Sequence, residues 1–231
     1  MGNPFETKTV PEKQSVADDP LKPDAELHVL VGGPYTIDGE EHRYGHTAIR
    51  IKTKTTDLTY DFGRYARVMG TFGEEGEGIL RVWSNFDKYI ASENVLGRVT
   101  TDFTYAIFDH QAQTVIDFYK KLTDSAKRRT ELDRGRPEVN SYQLPTNYTA
   151  LNYNCTTLSL DATRTVFPNF ENGSSSYIRP EDVLDWKERM AMKTLGGGTP
   201  THLFLPANLQ QFLSAKPPVP PTSVKTYGGK K

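Results

Sequence analysis

The stretch Tyr44–Arg64, YGHTAIRIKTKTTDLTYDFGR, decides the fold class. From Tyr44 the residues alternate: Ile49 and Ile51 fall on one side of an extended chain, and His46, Ala48 and Arg50 fall on the other. TKTTD is turn-rich, and LTYDFGR resumes the alternation. The whole reads as an antiparallel hairpin with a loop of a few residues. His46 avoids the apolar face of its strand, and Asp61 lies opposite Tyr60 and Phe62 on the next. A register pairing the two strands brings the carboxylate beside the imidazole.

Working outward, ELHVLVGG from Glu26 to Gly33 reads as a buried strand ending in glycines, and further strands are expected at Ile79–Trp83 and Val99–Phe108. Between the hairpin and the first of these, GTFGEEGEG reads as a flexible flap. Asp109 is a suitable N-cap for a helix whose Val115, Phe118, Tyr119 and Leu122 form one apolar stripe, which should pack on the sheet. A polar, proline-containing connector runs from about Ser125 to Pro145. Asn154 then caps a helix from Cys155 toward Phe167, and Pro180 opens another that GGG at 196–198 stops. Residues 1–25 read as a flexible arm, 26–214 as one domain and 215–231 as a proline-rich flexible tail.

A chain of 231 residues fits one large domain, and 12 tyrosines with 11 phenylalanines supply a core without disulfides. Net charge is −1, so nothing favours phosphate-backbone binding, and nucleic acid is not an expected partner. No basic start followed by an apolar run marks a secretory signal, and no apolar stretch approaches the roughly 20 residues of a membrane span. Gly2 lacks the Ser or Thr at position six that myristoylation needs. One cysteine, Cys155, excludes an internal disulfide.

Chemistry centres on that cysteine. A helix N-terminus carries partial positive charge and unpaired N–H groups, which favour thiolate and lower a cysteine pKa from about 8.5. Cys155 is therefore placed to be a nucleophile, with its own N–H as part of an oxyanion hole. His46 is the candidate base and Asp61 the group that orients it. The bland alternatives are a small buried cysteine, a surface histidine and a strand-edge aspartate. His42 and His46 have the HxxxH spacing of a zinc site, but Gly45 and the alternation argue for strand, and Arg43 stands where a metalloprotease has glutamate. No metal or cofactor is expected. GEEGEG lacks the lysine of a phosphate loop and the oxygen ligands of a calcium loop. His28, His110 and His202 read as a core strand residue, a first-turn helix residue and a loop or strand residue, none with an identifiable partner.

GHTAIRI, then YDFG fifteen positions later, then NCTT opening a distant helix, together resemble the circularly permuted branch of the NlpC-type papain-like hydrolases, which includes lecithin:retinol acyltransferase-like proteins. The resemblance spans about residues 28 to 167. It implies an α+β, papain-like antiparallel sheet packed against helices, with the nucleophile at a helix N-terminus, as a catalytic domain over 26–214. By position it makes Cys155 the nucleophile, His46 the base and Asp61 the orienter, with Asp57 a nearby alternative. Tyr35, Tyr44, Asn152 and Tyr153 are candidate cleft residues. The family's chemistry implies a thiol amidase or endopeptidase acting on peptidoglycan stem peptides. The sequence is also similar to type VI secretion effectors of this fold, including the TseH type. That likeness implies synthesis in a bacterial cytoplasm, export by a dedicated secretion apparatus, antibacterial action in a target periplasm and a neutralising immunity protein. The alternatives are a lipid-directed thiol acyltransferase or esterase, and a non-catalytic binding protein with a structural cysteine.

Overall fold

The structure is a computed structural model that describes residues 22–37, 40–42, 44–67, 75–95, 97–182, 184–187, 189–190 and 200–229. The chain is α+β, built on a nine-stranded antiparallel sheet with helices on both faces. Its strands are β1 (Ala25–Gly32), β4 (His46–Lys52), β5 (Asp57–Arg67), β6 (Glu75–Trp83), β7 (Thr100–Ile107), β8 (Lys127–Arg128), β9 (Val139–Gln143), β10 (Tyr148–Thr149) and β11 (Ser223–Tyr227). They run in the order β11-β7-β1-β4-β5-β6-β9-β8, with β10 pairing β6; a separate ribbon joins β2 (Tyr35–Ile37) to β3 (Glu40–His42). The α-helices described from end to end are α1 (Phe86–Val95), α2 (Asp109–Asp124), α3 (Cys155–Arg164) and α4 (Pro206–Ser214).

The Tyr44–Arg64 hairpin forms as its alternation requires. β4 and β5 pair antiparallel, Ile49 facing Tyr60 and Ala48 facing Asp61, with residues 53–56 as the loop. Odd residues of β1, β4 and β7 (Leu27, Val29, Val31, Ile49, Ile51, Phe103, Tyr105, Ile107) share the main core with α2, α3 and α4. The other face carries Leu30, Ala48 and Trp83 beneath Phe86, Tyr89 and Ile90 of α1. Ile49 and Ile51 are fully buried, a burial that contributes roughly 1.5–3 kcal/mol per side chain. Tyr119 of the predicted α2 stripe stacks on Tyr60 at a centroid distance of 3.9 Å, fixing α2 to β5.

Several expectations need correction. The tail 215–231 is not a free proline-rich segment throughout, because β11 adds itself to β7, Val224 opposite Phe103. The connector 125–145 contributes β8 and β9 to the sheet; its polar residues face solvent or bind each other while Val139 and Ser141 turn inward. Part of the glycine-rich flap, Glu75–Gly78, lies within β6. Phe108 rather than Asp109 caps α2, its N–H bonded by Gln111. Pro180 opens a 3-10 turn, Pro180–Asp182, and residues 186, 187, 189 and 190 beyond it are helical, while the expected stop at 196–198 lies outside the described residues. Helix α1 was not anticipated, since its mixed polarity hides the apolar face of Phe86, Tyr89 and Ile90. Residues 1–21 of the N-terminal arm lie outside the described residues.

Candidate active site

The site forms where β4 begins and α3 begins. Asn154 caps α3: its side-chain oxygen accepts the N–H groups of Thr156 and Thr157, and Thr157 Oγ1 accepts the Asn154 N–H. The Asn154 amide also donates to the carbonyls of Ala150 and Phe204, at 2.6 and 3.0 Å, anchoring the helix start from both sides. The cap takes the second and third N–H groups, and Cys155, the first residue of the helix, keeps its own outside the capping box. Thr156 Oγ1 meets Thr47 Oγ1 at 3.0 Å and ties the helix to the first residues of β4.

Gly45 precedes that strand with φ +73, and a Cβ there would sit 2.5 Å from the Gly32 carbonyl oxygen. A left-handed residue without a side chain lets β4 start close against the end of β1. His46 follows as the first residue of β4, half-buried, at the rim of the sheet. Its Nε2 lies 2.6 Å from Asp61 Oδ1. The ring also hydrogen-bonds the Cys155 thiol, for which Nδ1 remains. The thiol accepts a backbone N–H from Thr47 and, at 3.7 Å, the Tyr148 hydroxyl. One imidazole thus touches a carboxylate carried on the α1 side of the sheet and a sulfur carried by α3 on the other side.

The electrostatics follow from burial and pairing. Burial opposes charge on His46, but the Asp61 and Cys155 charges and hydrogen bonds to both outweigh it and raise its pKa from 6.5 to about 10. Asp61 is 5 % exposed; burial would raise its pKa, yet the His46 charge and hydrogen bond, then Arg81 and Arg98, hold it well below the usual carboxylate range. Burial likewise pushes the Cys155 thiol up, and the His46 charge, with hydrogen bonds from His46, Tyr148 and Thr47, pulls it below its ordinary value. Both shifts run in the direction of a thiolate–imidazolium pair.

The sequence-derived trio of Cys155, His46 and Asp61 is brought together, and Asp57 is not part of it. Asp57 sits at the far end of β5 and makes a two-point bond to Arg50, at 2.7 and 2.6 Å. Tyr153 packs on Phe62 at 5.1 Å, and Tyr44 joins Leu151, Leu184, Phe204 and Leu205 in an apolar cluster beside the helix cap. Asn152 lies in the turn before the cap, and the side chain of Tyr35 lies outside the described ones.

Tyr148 was not anticipated. It comes from the two-residue β10, laid across β6 at Gly76. A Cβ on Gly78 would meet the Thr146 carbonyl at 2.8 Å and the Phe62 ring at 2.9 Å, so glycine there lets this segment settle. Nothing local to NYTALNYNC separates Tyr148 from Tyr153; the difference is made by β6.

The HxxxH reading falls partly outside the described residues, which exclude the His42 side chain. Among the described residues no group of three or more His, Cys, Asp or Glu is placed to hold a metal ion, and no helix is long and apolar enough to cross a membrane. His110 lies in the first turn of α2 and His202 in a loop. His28 does have a partner, Asp102, at 3.0 Å. Comparison with protein-family models, curated proteins and solved structures finds no match to this chain.

Proposed function

We propose that the protein is a thiol hydrolase with a papain-like, permuted NlpC-type arrangement, in which Cys155 is the nucleophile, His46 the acid and base, and Asp61 the orienting carboxylate. The observation that carries this reading is the single His46 ring bonded to a buried carboxylate on Nε2 and to a helix-terminal thiol on its other side. A structural cysteine has no need of a charged imidazole, and a structural histidine has no need of a thiolate.

In the reaction, the Cys155 thiolate attacks a carbonyl carbon, a C–S bond forms and the carbonyl π pair moves to oxygen. The Cys155 N–H, at the positive end of α3, stabilises that oxyanion. Collapse breaks the C–N bond while the His46 imidazolium delivers its proton to the leaving nitrogen. Water then attacks the thioester with His46 taking its proton, the C–S bond breaks, and the thiolate–imidazolium pair is restored along with a carboxylic acid product. Asp61 keeps the Nε2–H tautomer, which leaves Nδ1 as the working nitrogen.

For substrate, the resemblance of GHTAIRI, YDFG and NCTT favours an amide in peptidoglycan stem peptides, with the protein acting as an exported antibacterial effector that an immunity protein neutralises. The test incubates the purified protein and its Cys155→Ala variant with cell-wall fragments and with phospholipid vesicles, followed by mass spectrometry. New amine and carboxyl ends in stem peptides, absent with the variant, are expected. Turnover of lipid alone would replace this reading with a thiol acyltransferase or esterase. Turnover of neither, with a thiol that alkylates slowly at neutral pH, would leave a binding protein.

A further inference from the structure

Asp61 works from an unfavourable place for a carboxylate. It lies on the sheet face beneath α1, 5 % exposed, and an unpaired charge there is costly to keep. The groups that face it are His46 from β4, Arg81 from β6, Tyr89 and Glu93 from α1, and Arg98 from the connection between α1 and β7. Their parts differ. His46 takes Oδ1 at 2.6 Å. Arg98 is paired with Glu93 in a buried ion pair, which answers much of its charge. Arg81 stands directly across the β5–β6 ladder from Asp61 and brings its guanidinium to 3.6 Å from Oδ2. Its Nε is buried with no hydrogen-bond partner among the described residues. The two carboxylate oxygens therefore face two different cations.

That division matters because one of the cations is transient. Once the imidazolium has given its proton to the leaving group, His46 is neutral and the buried carboxylate has lost its nearest positive charge. A proton on Asp61 at that moment would turn the carboxyl into a donor toward Nε2. The ring proton would then sit on Nδ1, the nitrogen that must accept from water in the second step. We propose that Arg81 is a positioning residue that holds Asp61 anionic while His46 is neutral, and so keeps the imidazole in its base-competent tautomer. The guanidinium is suited to this because it stays charged throughout the working pH range. The lowered titration of Asp61, to which Arg81 contributes after His46, agrees with this assignment. Its catalytic meaning rests on the thiol-hydrolase reading; the charge-holding itself does not.

The test follows the Asp61 carboxyl carbon by NMR in protein labelled at aspartate carboxyls, with the signal assigned from Asp61→Asn. His46→Gln removes the imidazolium and imitates the neutral half of the cycle. In that background Asp61 should remain ionised down to about pH 5 or below, and adding Arg81→Met should move its titration up by at least about one pH unit. Arg81→Lys should restore the lower titration, and Arg81→Gln serves where the methionine variant fails a thermal-unfolding check. An Asp61 titration unchanged by loss of the guanidinium overturns the proposal. In the otherwise native protein, Arg81→Met should slow thioester hydrolysis more than thioester formation, read as accumulated acyl-enzyme by intact-mass spectrometry; equal slowing of both steps would also overturn it. A wild type that hydrolyses nothing would sink the hydrolase reading while leaving the carboxyl titration free to support or refute the role of Arg81.

Discussion

Two imidazole–carboxylate pairs lie on the same face of the sheet, His46 with Asp61 and His28 with Asp102, and the first meets a sulfur while the second does not. The second pair is as well made as the first. His28 Nδ1 lies 3.0 and 3.1 Å from the two Asp102 oxygens, Thr104 Oγ1 joins them at 3.2 Å, and Glu26 approaches Nε2 at 3.4 Å. Position separates them. His28 is mid-strand, flanked by β4 at Arg50 and by β7 at Thr104, so the sheet itself stands between its ring and the helices of the opposite face. His46 is the first residue of its strand, and the helix start that carries Cys155 can reach the ring around the end of the ladder. A buried His–Asp contact is therefore a structural unit in its own right, and the strand end is what makes one such unit a candidate site.

The comparison breaks most sharply at the nucleophile and base. Cys155→Ala and His46→Gln should each lower kcat at least about 10³-fold, whereas His28→Gln should leave hydrolysis within about twofold; a steady-state assay on cell-wall fragments decides. Comparable losses at both histidines would mean that the two pairs are not different in kind.

The carboxylates should part next. Asp61→Asn should cost about 10²–10⁴ in kcat by the logic of a lost orienting charge. It should also shift the pH profile. The His46 pKa is raised from 6.5 to about 10, so the stabilisation from its protonation is complete below about 6.5 and lost as pH rises through about 10. Hydrolysis needing imidazolium should therefore fall on the alkaline side near pH 10, and Asp61→Asn should bring that limb to lower pH. Asp102→Asn should leave the pH–rate profile in place and instead reduce folding stability by about 1–3 kcal/mol, measured by urea unfolding, because a buried charged acceptor for His28 and Thr104 is lost.

Two smaller effects sharpen the sulfur side. Tyr148→Phe removes a hydroxyl that donates to the thiol, so the acid limb of Cys155 alkylation should move upward by less than about one pH unit. Asn154→Ala removes the cap of α3 and should cost about 1 kcal/mol of stability, with a modest drop in alkylation rate as the helix start loosens.

Much of this was legible before any coordinates. The hairpin could be read because Ile49 and Ile51 against His46, Ala48 and Arg50 make a clean period of two, and the helix start because Asn154 has the side chain that caps one. The His46–Asp61 pair followed from strand register and the place of Cys155 from helix capping, while the joining of the two rested on the resemblance of GHTAIRI, YDFG and NCTT. What could not be read depended on distant chain. Tyr148 reaches the sulfur because β6 has glycine at 78, Arg81 reaches Asp61 because β6 pairs β5 in that register, and His28 finds Asp102 across a strand pairing at a sequence separation of 74. Helix α1 escaped because Asp87, Lys88, Ser92, Glu93 and Asn94 dilute its apolar face, which the sheet rather than the helix itself makes necessary. The tail escaped because its prolines, which do mark an irregular approach, say nothing of the five residues that follow.

That last strand has a practical meaning for handling the protein. β11 pairs with Thr100–Thr104 on the open side of β7, five residues that would otherwise form an exposed strand edge. It leaves at the rim a short segment bearing Lys225, a charge that discourages further strand addition. Cutting the chain at Ala215 to obtain a tidier crystallisation target would strip this guard and invite ribbon-to-ribbon oligomers, so purification handles belong at the opposite terminus.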